Sequence, residues 1–195
     1  MLLTDATKNA LLTSLAGLID KVSVHDGYPG AAGANEIAGT TRQAITWNAA
    51  ASGSLDNNAN PVFTIPAGGE VHWIGLWTDA GAVYRGCVPA GGGAPKPVIG
   101  AAGTDVLTSD NHGFADGDSV VFWGDGLPTG LAEGTRYYVR DSATDSFKLA
   151  ATAGGAAIDL TTDGVGFAQK YVPEVFGGAG SYTVSDLDIG LGAVT

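Results

Sequence analysis

The side chains of this sequence that can do chemistry are few and widely spaced. Its three histidines, His25, His72 and His112, have no histidine or cysteine neighbours at ligand spacing, which disfavours a zinc site. His72 lies in an apolar stretch and is predicted to be a hydrogen-bonded core histidine. The other two stand next to turns and are predicted to hold loops. Cys87 is the one cysteine, so no intrachain disulfide forms.

Acidic and glycine-rich strings offer no familiar catalytic or ligand-binding motif. Asp110, Asp116 and Asp118 do not fit a calcium-binding loop and are interpreted as turn residues. The string Gly91-Gly92-Gly93 lacks the Lys-Ser/Thr of a P-loop, and no Gly-x-Ser-x-Gly elbow occurs. Two of the 20 acidic residues can still converge for glycoside cleavage, but chance alone allows that. We predict no enzyme activity and no catalytic, cofactor-binding or metal site.

Three aromatic residues are the candidates for an interaction surface: Trp123, Tyr137 and Tyr138. Aromatic rings on exposed strands can form sugar-binding platforms. Successive side chains of a strand point to opposite faces, so at most one of the two tyrosines can join such a platform. Packing of the rings in the core and rim of a small β module is the favoured alternative, because aromatic side chains are generally buried.

Composition and charge limit the classes of function. The formal net charge of −11 and the scattered basic residues argue against nucleic-acid binding. Only 15% of residues are charged, which suits a surface covered by neighbouring subunits. The first residues lack the pattern of a signal peptide, and no apolar run is long enough to cross a bilayer. We therefore expect synthesis in a cytoplasm and no membrane partner.

The elements that would position these side chains are mainly strands. One helix is predicted near the start, capped by Thr4 or Asp5 and packed on the core. Its apolar stripe comprises Leu11, Leu12, Leu15, Leu18 and Ile19. Period-two strands are then predicted at residues 21–25, 41–47, 62–65, 71–77 and 82–88, and a final strand at 181–191. The string Asp79-Ala80-Gly81 predicts a hairpin turn. An antiparallel β-sandwich or jelly-roll-like domain is expected.

A second β module is predicted after the Gly/Pro-rich stretch at residues 89–97. Turn residues divide the following segment into short strands, predicted at residues 105–107, 119–123, 136–140, 146–149 and 157–160. So many strands in so short a segment indicate a small β-barrel or β-roll, because a flat sheet of this size cannot bury both faces.

Several strings resemble a bacteriophage minor tail or tail-fibre-like structural protein family. They are His25-Asp26-Gly27-Tyr28-Pro29-Gly30, Gly33-Ala34-Asn35-Glu36, Arg42-Gln43-Ala44-Ile45-Thr46-Trp47 and Val71-His72-Trp73-Ile74-Gly75-Leu76-Trp77. The closing string Asp186-Leu187-Asp188-Ile189 is similar as well. The segment from His112 to Ala150 resembles a module that recurs in phage tail proteins.

The resemblance implies a discontinuous docking domain, residues 1–98 and 170–195, with a β module of residues 100–168 inserted in one of its loops. It also implies a virion component that is tail-associated and acts by assembly with other virion proteins, with homo-oligomers in the particle. A capsid decoration protein is the first alternative. The second is a host-surface or glycan-binding module carried by the insert.

Overall fold

The computed structural model describes residues 3–78 and 82–191, which form two compact units. One unit comprises residues 1–88 and 174–195, and the other comprises residues 89–173. The turn predicted at Asp79-Ala80-Gly81 lies outside the described residues. The elements in chain order are α1 (Asp5–Ala16), β1 (Lys21–His25), β2 (Gln43–Ala44), β3 (Ser54–Asp56), β4 (Val62–Ile65), β5 (Glu70–Val71), β6 (Trp73–Thr78), β7 (Val83–Pro89), β8 (Lys96–Ala101), β9 (Val106–Thr108), β10 (Ser119–Gly126), β11 (Tyr137–Arg140), β12 (Ser146–Ala150), β13 (Gly164–Lys170), β14 (Glu174–Val175), β15 (Gly180–Thr183) and β16 (Asp188–Gly190).

Helix α1 is capped as predicted, but its buried face is narrower than the predicted apolar stripe. The hydroxyl of Thr4 accepts a hydrogen bond from the backbone N–H three residues later, at 3.3 Å. Leu12 and Ile19 are buried, whereas Leu11 and Leu18 are 50% and 45% exposed. The prediction of one buried stripe is wrong for the exposed pair. Each residue turns the helix by about 100°, so Leu11 lies beside the buried face. Leu18 follows the end of the helix at Ala16 and lies in the turn after it.

A four-stranded antiparallel sheet, in the order β2-β1-β6-β7, is the largest sheet of the first unit. Strands β1 and β6 pair along five residues, from Lys21 opposite Trp77 to His25 opposite Trp73. The first five residues of β6 are all buried. Both faces of this strand are therefore covered, as its apolar residues on alternate sides predict.

The end of the chain completes this unit through three two-stranded sheets. Strand β14 pairs with β5, β15 with β4, and β16 with β3, all antiparallel. The single final strand predicted at residues 181–191 is wrong, because β15 and β16 are separated by buried Val184 and Leu187. The side chain of Asn57 accepts a hydrogen bond from the N–H of Leu187 at 2.7 Å and occupies that break in pairing.

The second unit contains a closed six-stranded barrel in the order β10-β11-β12-β9-β8-β13. The mainly β fold with one N-terminal helix, antiparallel sheets and a small barrel is thus confirmed. The strand predicted at residues 157–160 is wrong. Ala157 forms only an isolated bridge with Ala150, and the N–H of Leu160 donates to the Asp105 carboxylate at 2.9 Å. Strands β8 and β13 close the barrel instead.

The barrel core follows the alternation of its strands. Val120 and Phe122 of β10 point inward, and Trp123 lies on the outer face. The buried cluster consists of Val98, Leu107, Phe114, Val120, Phe122, Tyr137, Val139, Phe147, Leu149, Leu160 and Ala168. Among the described residues, no helix has the length and apolar character required to span a membrane.

Candidate interaction surface

Tyr137, one of the three predicted surface aromatics, belongs to the barrel core. It is 6% exposed and its ring packs edge-on against Phe122, with the ring centroids 5.9 Å apart. Its hydroxyl accepts a hydrogen bond from the N–H of Ala132 at 2.9 Å, so its polar atom has a partner. Tyr137 therefore stabilises the barrel and presents no ring to a ligand.

Tyr138 lies on the outer face, where a cation already covers it. The Arg136 guanidinium carbon is 4.9 Å from the centroid of the Tyr138 ring and 5.9 Å from that of Tyr171. This arrangement is a cation–π contact. The Tyr138 ring is half-buried and engaged within the barrel.

Trp123 also lies on the outer face, and it stacks on Phe167. The two residues are cross-strand partners on β10 and β13, with ring centroids 6.4 Å apart and ring planes inclined by only 22°. Phe167 is 44% exposed. Sequence reasoning missed it, because the strand Gly164–Lys170 was not recognised. The alternation of Val165 and Phe167 with Gly164 and Gly166 was a weak signal for a strand in the sequence.

Apolar side chains extend this stack across three neighbouring strands. Phe167 is also opposite Pro97 of β8, and Val165 is opposite Ile99. Ile99 and Val165 are 60% and 57% exposed, and Pro97 is exposed as well. We call these five residues, Pro97, Ile99, Trp123, Val165 and Phe167, the outer apolar patch. A contiguous exposed apolar surface of this kind marks an interaction site more often than scattered apolar residues do.

Glycines keep one end of the outer apolar patch open. A shallow hollow beside Ile99 and Val165 is also lined by Asp163 and by Gly100, Gly126 and Gly164. Glycine has no side chain to cover its neighbours. Asp163 is exposed, and its Oδ1 accepts a hydrogen bond from the N–H of Ala102 at 2.9 Å. None of the five patch residues is charged, so the surface offers apolar contact with one carboxylate at its edge.

A different arrangement, which we call the buried polar cluster, lies in the first unit and consists of Ser23, His25, Ala34 and Trp77. Trp77 Nε1 donates to Ser23 Oγ at 2.7 Å, and Ser23 Oγ lies 2.6 Å from His25 Nε2. His25 Nδ1 is 2.7 Å from the Ala34 carbonyl oxygen. A carbonyl only accepts, so Nδ1 carries the proton and Nε2 accepts from the Ser23 hydroxyl. While His25 is neutral, each side-chain polar atom of the buried polar cluster therefore has a hydrogen-bond partner.

The serine and histidine of the buried polar cluster have the spacing of a nucleophile and its base, but they are closed to solvent. Ser23 is 1% exposed and His25 is fully buried. Burial lowers the pKa of His25, and the hydrogen bond to the Ala34 carbonyl opposes that shift only partly. The pair therefore acts as a structural hydrogen-bond chain. His25, predicted to hold a loop, is the core histidine of this unit.

The other two histidines take separate roles. His72 interrupts the strands between β5 and β6, and its Nε2 lies 2.8 Å from a carboxylate oxygen of Glu70. The prediction of a core histidine is wrong, because this side chain reaches a partly exposed carboxylate. His112 accepts a hydrogen bond from the N–H of Phe114 at 2.9 Å, which confirms its predicted loop role. Within residues 3–78 and 82–191, His, Cys, Asp and Glu form no group of three that can hold a metal ion.

Charged side chains cover one side of the buried polar cluster. Arg42 donates to Glu36 in an ion pair with a shortest distance of 2.5 Å, and its guanidinium carbon is 3.2 Å from the Trp77 ring centroid. Gly33 has φ +71°, and a Cβ there would come within 2.6 Å of the Trp77 ring and 2.7 Å of Tyr84. Glycine is therefore required at this close approach.

Residues 5–85 match the family model described as Podophage GP4 fiber I protein gp80. The predicted resemblance to phage tail-fibre-like structural proteins is confirmed. No curated protein and no solved structure matches the chain significantly. The fibre-family match covers less than half of the chain and ends before the barrel.

The fibre-family match includes the four strings that carry the N-terminal resemblance, and these strings meet in the structure. They supply His25, Ala34 and Trp77 of the buried polar cluster and the ion pair of Glu36 and Arg42 that covers it, while Ser23 lies just before the first string. The spacing of the strings thus reflects packing of one structural unit. The match supports a structural role for the chain as a component of a phage virion.

Proposed function

We propose that this chain is a tail-associated structural component of a phage virion, of the minor-tail or tail-fibre type, that acts through assembly with other virion proteins. The fibre-family match over residues 5–85 carries the proposal. The buried polar cluster supports it, because its fully paired hydrogen-bond chain makes this part of the unit rigid, as docking requires.

Exposed apolar side chains in the same unit support assembly as the mechanism. Leu11 and Leu18 are 50% and 45% exposed, and half-buried Leu15 falls between them in the sequence. Leu11 and Leu15 lie on helix α1 and Leu18 in the turn that follows it, so the three leucines form a partly exposed apolar stripe. Such a stripe can pack against another subunit, either a second copy in a homo-oligomer or a different virion protein.

The proposed domain organisation is a docking domain of residues 1–98 and 170–195 with an inserted β module of residues 100–168. It is supported by the strand pairing on either side of the second unit. Strands β14, β15 and β16 return to pair with β5, β4 and β3. The two chain segments that flank the barrel thus belong to one unit, as expected for an insertion at a loop.

Mass spectrometry of purified virions, combined with labelling of the chain in particle images, tests this function. We expect the chain in intact particles, with the label on the tail. A label on the capsid exterior would favour the decoration-protein alternative. Absence of the chain from virions would contradict a virion role altogether.

A variant pair tests whether the helix stripe mediates assembly. Leu11→Glu combined with Leu18→Glu places charge on the stripe, and Ala6→Glu combined with Ala10→Glu places the same charge on other exposed positions of α1. We expect the leucine variant to lose incorporation into virions and the alanine variant to retain it. Equal incorporation of both variants would remove the stripe from the docking surface.

A further inference from the structure

We propose that the barrels of two copies of this chain associate head to tail, with a basic face of one barrel packed against the outer apolar patch of the next. The basic face consists of Arg140 on β11, Lys148 on β12 and exposed Arg136 just before β11. The inference rests on the proposed function, because a virion brings copies together. It deepens that function by naming the partner of a unit that the fibre-family match does not reach.

The basic residues of the barrel are gathered on two neighbouring strands. Between residues 100 and 168 the sequence has ten acidic residues and three basic ones, and all three belong to the basic face. Arg140 and Lys148 are directly opposite each other across β11 and β12. Their side chains point outward, because the neighbouring Val139 and Leu149 are buried in the barrel. These strands therefore carry a local positive charge in an acidic unit.

The facing pair of like charges is only partly neutralised. Two like charges directly opposite each other on neighbouring strands destabilise a sheet. Arg140 donates to the Asp141 carboxylate at 3.2 Å and to the Gly155 carbonyl oxygen at 2.7 Å, which fixes the guanidinium on this face. Among the described residues, Lys148 forms no ion pair. A carboxylate supplied by a partner would therefore stabilise the basic face.

The outer apolar patch is complementary to the basic face and lies on the other side of the barrel. In the closed order β10-β11-β12-β9-β8-β13, strands β11 and β12 are opposite β8 and β13. The carboxylate at the edge of the patch, Asp163, is exposed and has no ion-pair partner in the part of the chain that the structure describes. One barrel thus offers both complementary faces, which makes a second copy the partner. Because the two faces differ, the contact is heterologous, and each copy can use both faces at once.

The contact combines apolar and ionic parts. The methylene stems of Arg140 and Lys148 can lie along Ile99 and Val165 of the next barrel. Their charged ends then reach Asp163, which lies in the hollow beside these two apolar residues. A standard interface uses about 800 Å² on each partner, and so few side chains form a smaller one. The contact is therefore weak in dilute solution and gains strength where other contacts hold the copies together, because their effective concentration is then high.

Sedimentation equilibrium of the full chain tests the proposal at protein concentrations up to the millimolar range. We expect self-association of the parent chain that weakens as the salt concentration rises. Lys148→Glu and Asp163→Lys should each weaken it roughly tenfold, because each change brings like charges together. The two changes combined in one chain should return it to within about threefold of the parent, because the exchanged charges attract across the interface.

Asp186→Lys is the matched control for this charge exchange. Asp186 is exposed and belongs to the first unit. The control alone should associate as the parent chain does. Combined with Lys148→Glu, it gives the same net charge as the Lys148 and Asp163 exchange, but it should not restore association.

Several results would overturn the proposal: a parent chain that stays monomeric at every concentration, no weakening by either single change, or equal restoration by the Asp186 control. Reduced virion incorporation of Lys148→Glu together with a monomeric parent chain would assign the basic face to a different protein. Failure of the proposed function is a separate result. It is absence of the parent chain from virions, whatever the sedimentation experiment shows.

Discussion

The buried polar cluster and the outer apolar patch are opposite arrangements. In the first unit, polar atoms of Ser23, His25 and Trp77 are buried and fully hydrogen-bonded. On the barrel, apolar rings and aliphatic side chains face solvent, led by Ile99 at 60% exposure. An unpaired buried polar group and an exposed apolar group both cost free energy. The buried polar cluster avoids that cost through its hydrogen bonds, whereas the outer apolar patch retains it.

This contrast separates the region that carries the sequence motifs from the region that exposes apolar side chains. The strings that resemble phage fibre proteins converge on a cluster that solvent does not reach. The residues of the outer apolar patch carry no motif and are brought together by the pairing of β8, β13 and β10. Four predictions measure this difference through the free energy of unfolding.

Gly75→Ala should give the largest effect. A Cβ at this position would lie 2.4 Å from His25 Nε2 and 2.5 Å from Ser23 Oγ. Overpacking would therefore also displace hydrogen-bonded groups, and we expect a loss of about 3 kcal/mol in the free energy of unfolding by urea. Gly177→Ala is the control, because a Cβ there has no atom within 4 Å. Equal stability of the two variants would show that the cluster is loosely packed.

Ser23→Ala should give the next largest effect. It removes the acceptor of the Trp77 indole N–H and the donor to His25 Nε2, leaving two buried polar atoms without partners. We expect a loss of about 2 kcal/mol in the free energy of unfolding. Ser181→Ala, at an exposed position of β15, should have almost no effect. A loss no larger than that of the control would mean that water replaces the hydroxyl.

Local patterns predicted the class of the fold and the barrel strands with strong alternation. Tyr137 and Val139 of β11, for example, alternate with Tyr138 and Arg140. The pattern failed at β13, where Gly164 and Gly166 occupy alternate positions and leave little apolar signal. It also failed to predict the pairing of β14, β15 and β16 with strands more than 100 residues earlier in the chain. Turn and strand propensities carry no information on such distant partners.

The candidate sites were also predicted only as far as local patterns allow. Trp123 was found from its residue type, but its partner Phe167 lies on the strand that the pattern missed. His25 was placed beside a turn, because its neighbours in sequence are a strand end and Asp26-Gly27. Its burial depends on Trp77 and Ala34, which reach it only through tertiary packing. Residue types and local spacing therefore identified single residues of both regions, but they did not predict which residues contact each other.

Acid should weaken the buried polar cluster by a smaller amount. Burial lowers the folded-state pKa of His25, although Glu36 and Asp26 raise it and Arg42 lowers it further. The unfolded chain then binds the proton at a higher pH than the folded chain. The stability from neutral His25 is therefore complete above about pH 6.5 and falls as the pH drops below that value. The slope is at most about 1.4 kcal/mol per pH unit.

Urea unfolding between pH 7.5 and pH 5 measures this dependence. His25→Gln removes the titrating group and should show a shallower slope over the same range. The NMR signal of the His25 ring should titrate below the ordinary histidine range. A ring that titrates at or above that range would show that the cluster accepts the charged form, and the hydrogen-bond chain would then need a different proton arrangement.

Ile99→Thr should give the smallest effect and tests the barrel side of the comparison. Ile99 is 60% exposed, whereas its neighbour Val98 on β8 is 2% exposed and belongs to the barrel core. A threonine on the outer face loses little packing and can hydrogen-bond to water, so we expect a change within about 0.5 kcal/mol. Val98→Thr is the matched control, because it buries a hydroxyl in the core and should cost about 1–2 kcal/mol. If Ile99→Thr cost as much as Val98→Thr, the outer apolar patch would be part of the folded interior, and the difference between the two regions would disappear.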